Sequence, residues 1–266
     1  LDFALFVTFF PHLVAGPIMR PTELVPQFEQ PRRASMDQLR FGLALMTLGL
    51  FQKVVLADGF LAAPAEQVYD NTMAPGALDA WFGVFSERYL IAWRRWHITL
   101  SSWLRDYLYI PLGGNRKGEA RTYASLMTTM LLGGLWHGAN WTFVAWGGLH
   151  GLYLSVERWL RSRFGGYAPG PLALLGLGLF TFFLSYITWV FFRAATFTKA
   201  WEVLRGMFGF SVDAKPILAG VHLLAVGVIV GGIFITHWLM RRRTLESVVA
   251  RAPPLLLTIA WALMAF

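Results

Sequence analysis

Long apolar runs closed by short basic clusters set the pattern of this chain. The first run is under way at Leu1 and lasts to Pro11, which reads as entry in mid-helix into a longer protein. Phe41 to Ala63 is the first complete candidate span, with Arg32, Arg33 and Arg40 ahead of it. Ala77 to Phe85 is short, about 14 Å of helix, and cannot cross a bilayer alone. It continues through Tyr89 to Trp93 only if Glu87 and Arg88 pair or face the protein interior.

From His97 the pattern changes. Leu100, Trp103, Leu104, Tyr107 and Leu108 recur at helical spacing, with Ser101, Ser102, Arg105 and Asp106 opposite. This predicts an amphipathic helix in the interface or under the bundle. Pro111 to Gly118 closes it in a polar basic loop. Tyr123 to Trp136 gives roughly 21 Å of helix, short of a crossing. Trp141 to Leu160 returns and ends in Arg158, Arg161 and Arg163. With both basic ends cytoplasmic, the bend from Trp136 to Asn140 lies inside the membrane, where broken backbone survives only in protein or beside a cavity. A pocket at His137 is therefore expected. Leu172 to Phe192 is a clean span, and Phe197, Trp201, Leu204 and Phe208 mark a short amphipathic segment. Ile217 to Met240 is another span, and Leu255 to Phe266 begins a last one. The fold class is all-α: a polytopic transmembrane bundle with re-entrant, broken helices and amphipathic interfacial helices, forming one membrane-embedded domain over 1–266.

Composition agrees with the pattern. Hydrophobic residues are 56% of the chain and charged residues 14%, with mean hydropathy +0.51; this is a membrane composition. The net charge of +8 does not signal nucleic acid. Its basic residues cluster at Arg32-Arg33, Arg116-Lys117, Arg158 to Arg163 and Arg241 to Arg243, as in loops held on the cytoplasmic side. No secretory signal pattern is present, and the lack of cysteine excludes thiol chemistry.

The candidate chemistry sits in Leu131-Leu-Gly-Gly-Leu-Trp-His-Gly-Ala-Asn-Trp141. Tyr123 to Tyr153 contains no Asp, Glu, Lys or Arg, so His137 is an imidazole in hydrocarbon. Such a residue needs a partner or a wet cavity and marks a functional site by default. Neutral imidazole can take the proton of a hydroxyl as it attacks an acyl carbonyl. The other reading is a structural histidine bonded to a carbonyl freed by the break. Arg94-Arg95-Trp96-His97 also has two readings. The guanidinium forks suit donor phosphates with His97 orienting substrate, or the arginines snorkel beside Trp93 and Trp96. His150 is either a site residue or sits in a glycine-rich packing stretch. Lys53 and Asp58 are an ion pair on a conduction route or a snorkelling helix end. His222 and His237 read as packing or interface residues. Serine-hydrolase elbows, zinc-protease helices and phosphate loops are absent.

Trp93-Arg-Arg-Trp-His-Ile-Thr-Leu-Ser-Ser-Trp-Leu-Arg-Asp-Tyr-Leu-Tyr-Ile-Pro-Leu-Gly-Gly-Asn-Arg-Lys117, followed by Gly-Gly-Leu-Trp-His-Gly-Ala-Asn-Trp141, resembles the membrane-bound O-acyltransferase family. Phe10-Pro-His-Leu-Val-Ala-Gly-Pro-Ile18, Gly49-Leu-Phe-Gln-Lys-Val-Val-Leu-Ala-Asp58 and Trp189-Val-Phe-Phe-Arg-Ala194 extend the likeness over roughly residues 1 to 210. The resemblance implies a tunnel through the bacterial inner membrane. An acetyl group would enter from a cytoplasmic donor, acetyl-CoA or another acyl thioester, with no resident cofactor or metal. It would leave toward an exported polysaccharide such as alginate, with an extracytoplasmic acetyltransferase as partner protein and the lipid bilayer as surroundings. His137 takes the place of the family's essential histidine and His97 that of its second, with Asn140, Trp136, Arg94 and Arg95 binding substrate. Relatives carry earlier helices and a longer insert before Arg94, so the 266 residues alone are expected to be inactive. A non-catalytic scaffold or acyl-conducting subunit and a secondary transporter are the rival readings.

Overall fold

The computed structural model describes residues 20–29, 35–89, 98–165, 170–211, 214–240, 247–248 and 262. Almost all of them are helical. The chain divides into two compact units, one from residues 1–31 and 91–201, the other from 32–90 and 202–266.

The first unit holds α1 (Pro21–Glu29), α5 (Ile98–Leu104), α6 (Glu119–His137), α7 (Trp141–Phe164) and α8 (Pro171–Arg193). Its centre is the α6–α7 hairpin, which packs main chain on main chain. A Cβ on Gly134 would stand 2.2 Å from the Phe143 carbonyl oxygen, and one on Gly147 2.2 Å from that of Met130. Small residues at such a crossing let two helices approach more closely than any side chain allows. Thr122, Ser125 and Thr129 are buried on α6, and the Thr122 and Thr129 hydroxyls donate to carbonyls one turn back. Each small polar group is thus satisfied without water. α5 runs into a π-helical turn, Arg105–Tyr109, and the loop beyond it turns on Gly113 and Gly114 at φ 119° and 52°. Only glycine takes these values at little cost.

α8 is divided along its length. Leu172, Leu174, Leu175, Leu177, Leu179 and Phe180 are exposed, whereas Tyr186, Trp189 and Val190 are buried. An unbroken apolar surface on a helix of 23 residues is what a bilayer accepts and water does not.

The second unit begins with a continuous helix over Met36–Tyr69, long and apolar enough to cross a membrane. Ser35 caps it in a reciprocal box with Gln38. It comprises α2 (Met36–Leu50), a π-helical stretch (Phe51–Leu61) and α3 (Ala62–Tyr69). α4 (Ala77–Tyr89) packs on α3, where a Cβ on Gly83 would meet the Val68 side chain at 2.8 Å. α10 (Gly220–Leu239) completes the unit. Its approach segment is pinned by Asp79, a buried carboxylate accepting from the Ile217 and Leu218 amides at 2.9 and 3.2 Å. α9 (Phe197–Met207) lies across the boundary in sequence between the two units.

One expectation is corrected here. α6 is a turn longer than the Tyr123–Trp136 run, beginning at Glu119 and reaching His137. Its 19 residues rise about 28 Å, close to a full hydrocarbon core. Helix length therefore gives no argument for placing the bend at depth. On α9 the packed face is Ala200, Val203, Gly206 and Met207, while Phe197, Trp201 and Phe208 are exposed. The aromatics mark the outer face because beside lipid the larger apolar side chains need not be inside.

Candidate functional site

His137 is the last residue of α6, and Gly138, Ala139 and Asn140 turn the chain into α7. The break leaves helix-end groups that need partners outside the helices. Gly138 donates to the Leu135 carbonyl at 3.2 Å, and Asn140 donates its amide to the Gly138 carbonyl at 2.8 Å. The Asn140 side chain then works in two directions. Its Oδ1 accepts from the Thr142 amide at 3.1 Å, capping α7, and its Nδ2 donates to the Ala195 carbonyl at 2.9 Å. That second bond ties the α6–α7 turn to the segment after α8.

Aromatic rings surround the His137 imidazole. Trp136, Trp146 and Phe192 stand edge-to-face at centroid distances of 5.1 Å each, and Phe143 stacks at 6.3 Å. Trp146 is buried and Trp136 is 58% exposed, so the first forms a wall and the second a rim. Gly138 makes room for this box: a Cβ there would stand 2.6 Å from the Phe143 ring. The imidazole is thus held among ring edges and faces while staying half-exposed.

Of the sequence-predicted site residues, His137, Trp136 and Asn140 come together at this turn. His97, Arg94 and Arg95 lie outside the described residues. Asn140 is placed by its hydrogen bonds as a brace for the turn. His150, read as site or packing, lies in a tightly packed stretch of α7. Neighbouring Gly147 and Gly151 sit against Met130 and Met127, while its Nε2 lies 3.1 Å from Thr188 Oγ1 on α8. Lys53 and Asp58 pair at 2.6 Å, and both side chains are more than half exposed. Five residues apart, they meet because the backbone between them is π-helical. Among the described residues the pair lies on an open helix face. His222 is half-buried in the first turn of α10, in agreement with a packing residue. The side chain of His237 is outside the described set.

Sequence reasoning missed Phe143, Trp146, Phe192 and Thr188. Phe192 and Thr188 lie one turn apart on α8, a spacing that puts both on the face toward α7. It also missed a charged brace at the start of the unit. Arg20 and Arg105 both bond Asp106, and the Arg20 guanidinium lies 5.6 Å from the Tyr107 ring centroid. The Arg105 and then the Arg20 hydrogen bonds hold the Asp106 carboxyl at about 2, below its ordinary 3.8.

The membrane-bound O-acyltransferase family model matches residues 79–197. These residues include α5 to α8 and the His137 turn. The chain is 40% identical over 247 residues to the probable alginate O-acetylase AlgI of Azotobacter vinelandii, covering 79% of this chain and 48% of that protein. The protein of the same name from Pseudomonas aeruginosa is 39% identical over 86% of this chain and 50% of its own. The peptidoglycan O-acetyltransferase of Helicobacter pylori is 38% identical over 79% and 47%. The chain thus spans about half the length of these curated relatives. A helical structure with apolar outer faces, a histidine at the expected break and these matches agree: the chain belongs to the membrane-bound O-acyltransferase family.

Proposed function

We propose that this chain forms the part of a bacterial inner-membrane O-acetyltransferase that carries the transfer histidine, with an exported polysaccharide as acceptor. One observation carries the reading: His137 stands at a braced helix break, inside an aromatic box, in a chain of this family. In the reaction, the imidazole takes the proton of an acceptor hydroxyl. The oxygen forms a bond to the acetyl carbonyl carbon, the carbon–sulfur bond of the thioester breaks, and the thiolate leaves with the proton from the imidazolium. Holding donor and acceptor in one geometry in a dry site contributes alongside proton transfer. Arg94 and Arg95 would grip donor phosphates, with His97 and Trp136 lining the acceptor path. Alginate and peptidoglycan are the polymers in the relatives' names, and an acetylated glycan is the chemistry common to both. An extracytoplasmic acetyltransferase would complete delivery.

The test is His137→Ala in the protein expressed in its native host, reading ester-linked acetate on exported glycan and membrane protein level. Activity should fall about 100-fold or more at unchanged level, the range of a general base. More than about a tenth remaining would leave an acyl-conducting scaffold as the better account.

A further inference from the structure

We propose that His150 is a positioning residue for this transfer, acting through Trp146 on the ring of His137; this rests on the reading of His137 given above. Three observations carry it. First, the proton positions on the His150–Thr188 contact are fixed by bookkeeping. Thr188 Oγ1 donates its one hydrogen to the Ser185 carbonyl at 2.7 Å. It can then only accept from His150, 3.1 Å away, so the imidazole carries its hydrogen on Nε2. Thr188 is fully buried, so water does not compete at its hydroxyl for this contact between α7 and α8.

Second, Trp146 stands between the two imidazoles. Its ring centroid is 5.1 Å from that of His137 at 82° and 4.7 Å from that of His150 at 67°. Trp146 is 4% exposed, so it has no room to swing away. His150 reaches His137 through the Trp146 ring they share, and its Nε2 proton is committed to Thr188. Third, the other side of the box hangs on the same helix. Phe192, one turn beyond Thr188, lies 5.1 Å from His137 and 5.4 Å from Trp146. The His150–Thr188 bond thus sets the register of α8 against α7 at the point where both supply walls for His137. A general base loses rate steeply when its ring is displaced, about 100-fold for 1 Å.

The experiment measures acetyl transfer from an acetyl thioester to glycan in membrane vesicles from the native host, for His150→Ala, His150→Gln, Thr188→Val, Thr188→Ser and His150→Ala with Thr188→Val. Both disruptive single variants should lower kcat by about tenfold to 100-fold with the donor KM within about twofold. The double variant should be no worse than either single one, because one bond is lost in each. Thr188→Ser keeps the hydroxyl and should restore kcat; His150→Gln keeps an N–H donor and should restore most of it. Thr188→Val is nearly isosteric, so it decides the matter if His150→Ala lowers the membrane level. Unchanged kcat in Thr188→Val, additive losses in the double variant, or a raised KM at constant kcat would overturn the proposal. Retained activity in His137→Ala would instead overturn the reading of His137, and is measured separately.

Discussion

A single asparagine shows how much of the turn depends on one side chain. Asn140 caps α7 through Oδ1 and holds the Ala195 carbonyl through Nδ2. Asn140→Ala removes both and should destabilise the unit by about 1 kcal/mol or more. Asn140→Asp keeps the cap and removes the donor, so its amide exchange at Thr142 should stay slow while thermal stability still falls. Equal behaviour of the two variants would mean that the Ala195 bond, not the cap, carries the effect. Asp106 gives a pH signature at the same scale. Its carboxyl is held at about 2 by the Arg105 and Arg20 bonds, below the ordinary 3.8. A depressed value means that the stabilisation is complete above the unfolded value and is lost as pH falls through the folded one. The attachment of Arg20 to the Arg105–Tyr109 turn should therefore persist at neutral pH and weaken between about 4 and about 2. Hydrogen exchange around Tyr107 would follow it, and Arg20→Ala should narrow that window toward ordinary carboxylate values. None of this was legible in sequence, since Arg20 and Asp106 are 86 positions apart.

Helices were easier to read than their ends or their faces. The apolar runs located α2, α8 and α10, because a stretch that must satisfy its own backbone in lipid has little choice but helix. The start of α6 was missed because Glu119 and Arg121 look like loop residues, although helix termini tolerate charge well. Which face of α9 packs could not be read from the sequence for a different reason. Periodicity tells apolar from polar, and beside a bilayer both the packed face and the lipid face are apolar. Small residues are the better marker, as the α6–α7 crossing shows. Gly134→Ala would place a Cβ 2.2 Å from a main-chain oxygen that cannot turn aside. A loss of about 1–3 kcal/mol is expected, read as thermal denaturation in detergent. Gly148→Ala on α7, the other arm of the hairpin, meets only the end of Leu131 at 3.4 Å and should cost far less. Similar losses in both would show that helix propensity, not close approach, governs the hairpin.

For the molecule as a whole, the distribution of bare apolar surface is the main clue to its surroundings. Leu175 is 56% exposed on the half of α8 that no described residue covers. Leu175→Arg should oppose membrane insertion of the Leu172–Arg193 segment, by less than the about 3 kcal/mol of a central position because Arg near a helix end snorkels, measurable in a translocon insertion assay. Unchanged insertion would place that face against protein or water. The candidate site was partly legible at this scale: the histidine and its turn were found from the glycines and the missing charges. Its walls were not, because Trp146 and Phe192 are ordinary apolar residues until the fold brings them within 5.4 Å of each other.

The glycine crossing has one more consequence. Gly134 lies a single turn, about 4.5 Å along the axis, from His137, and about 22 Å from Glu119 at the other end of α6. Because main chain touches main chain there, the contact is a fulcrum. A scissoring motion of the hairpin moves the imidazole about one fifth as far as it moves the distant helix end. Mechanical disturbance arriving from that end reaches the imidazole with its amplitude geared down.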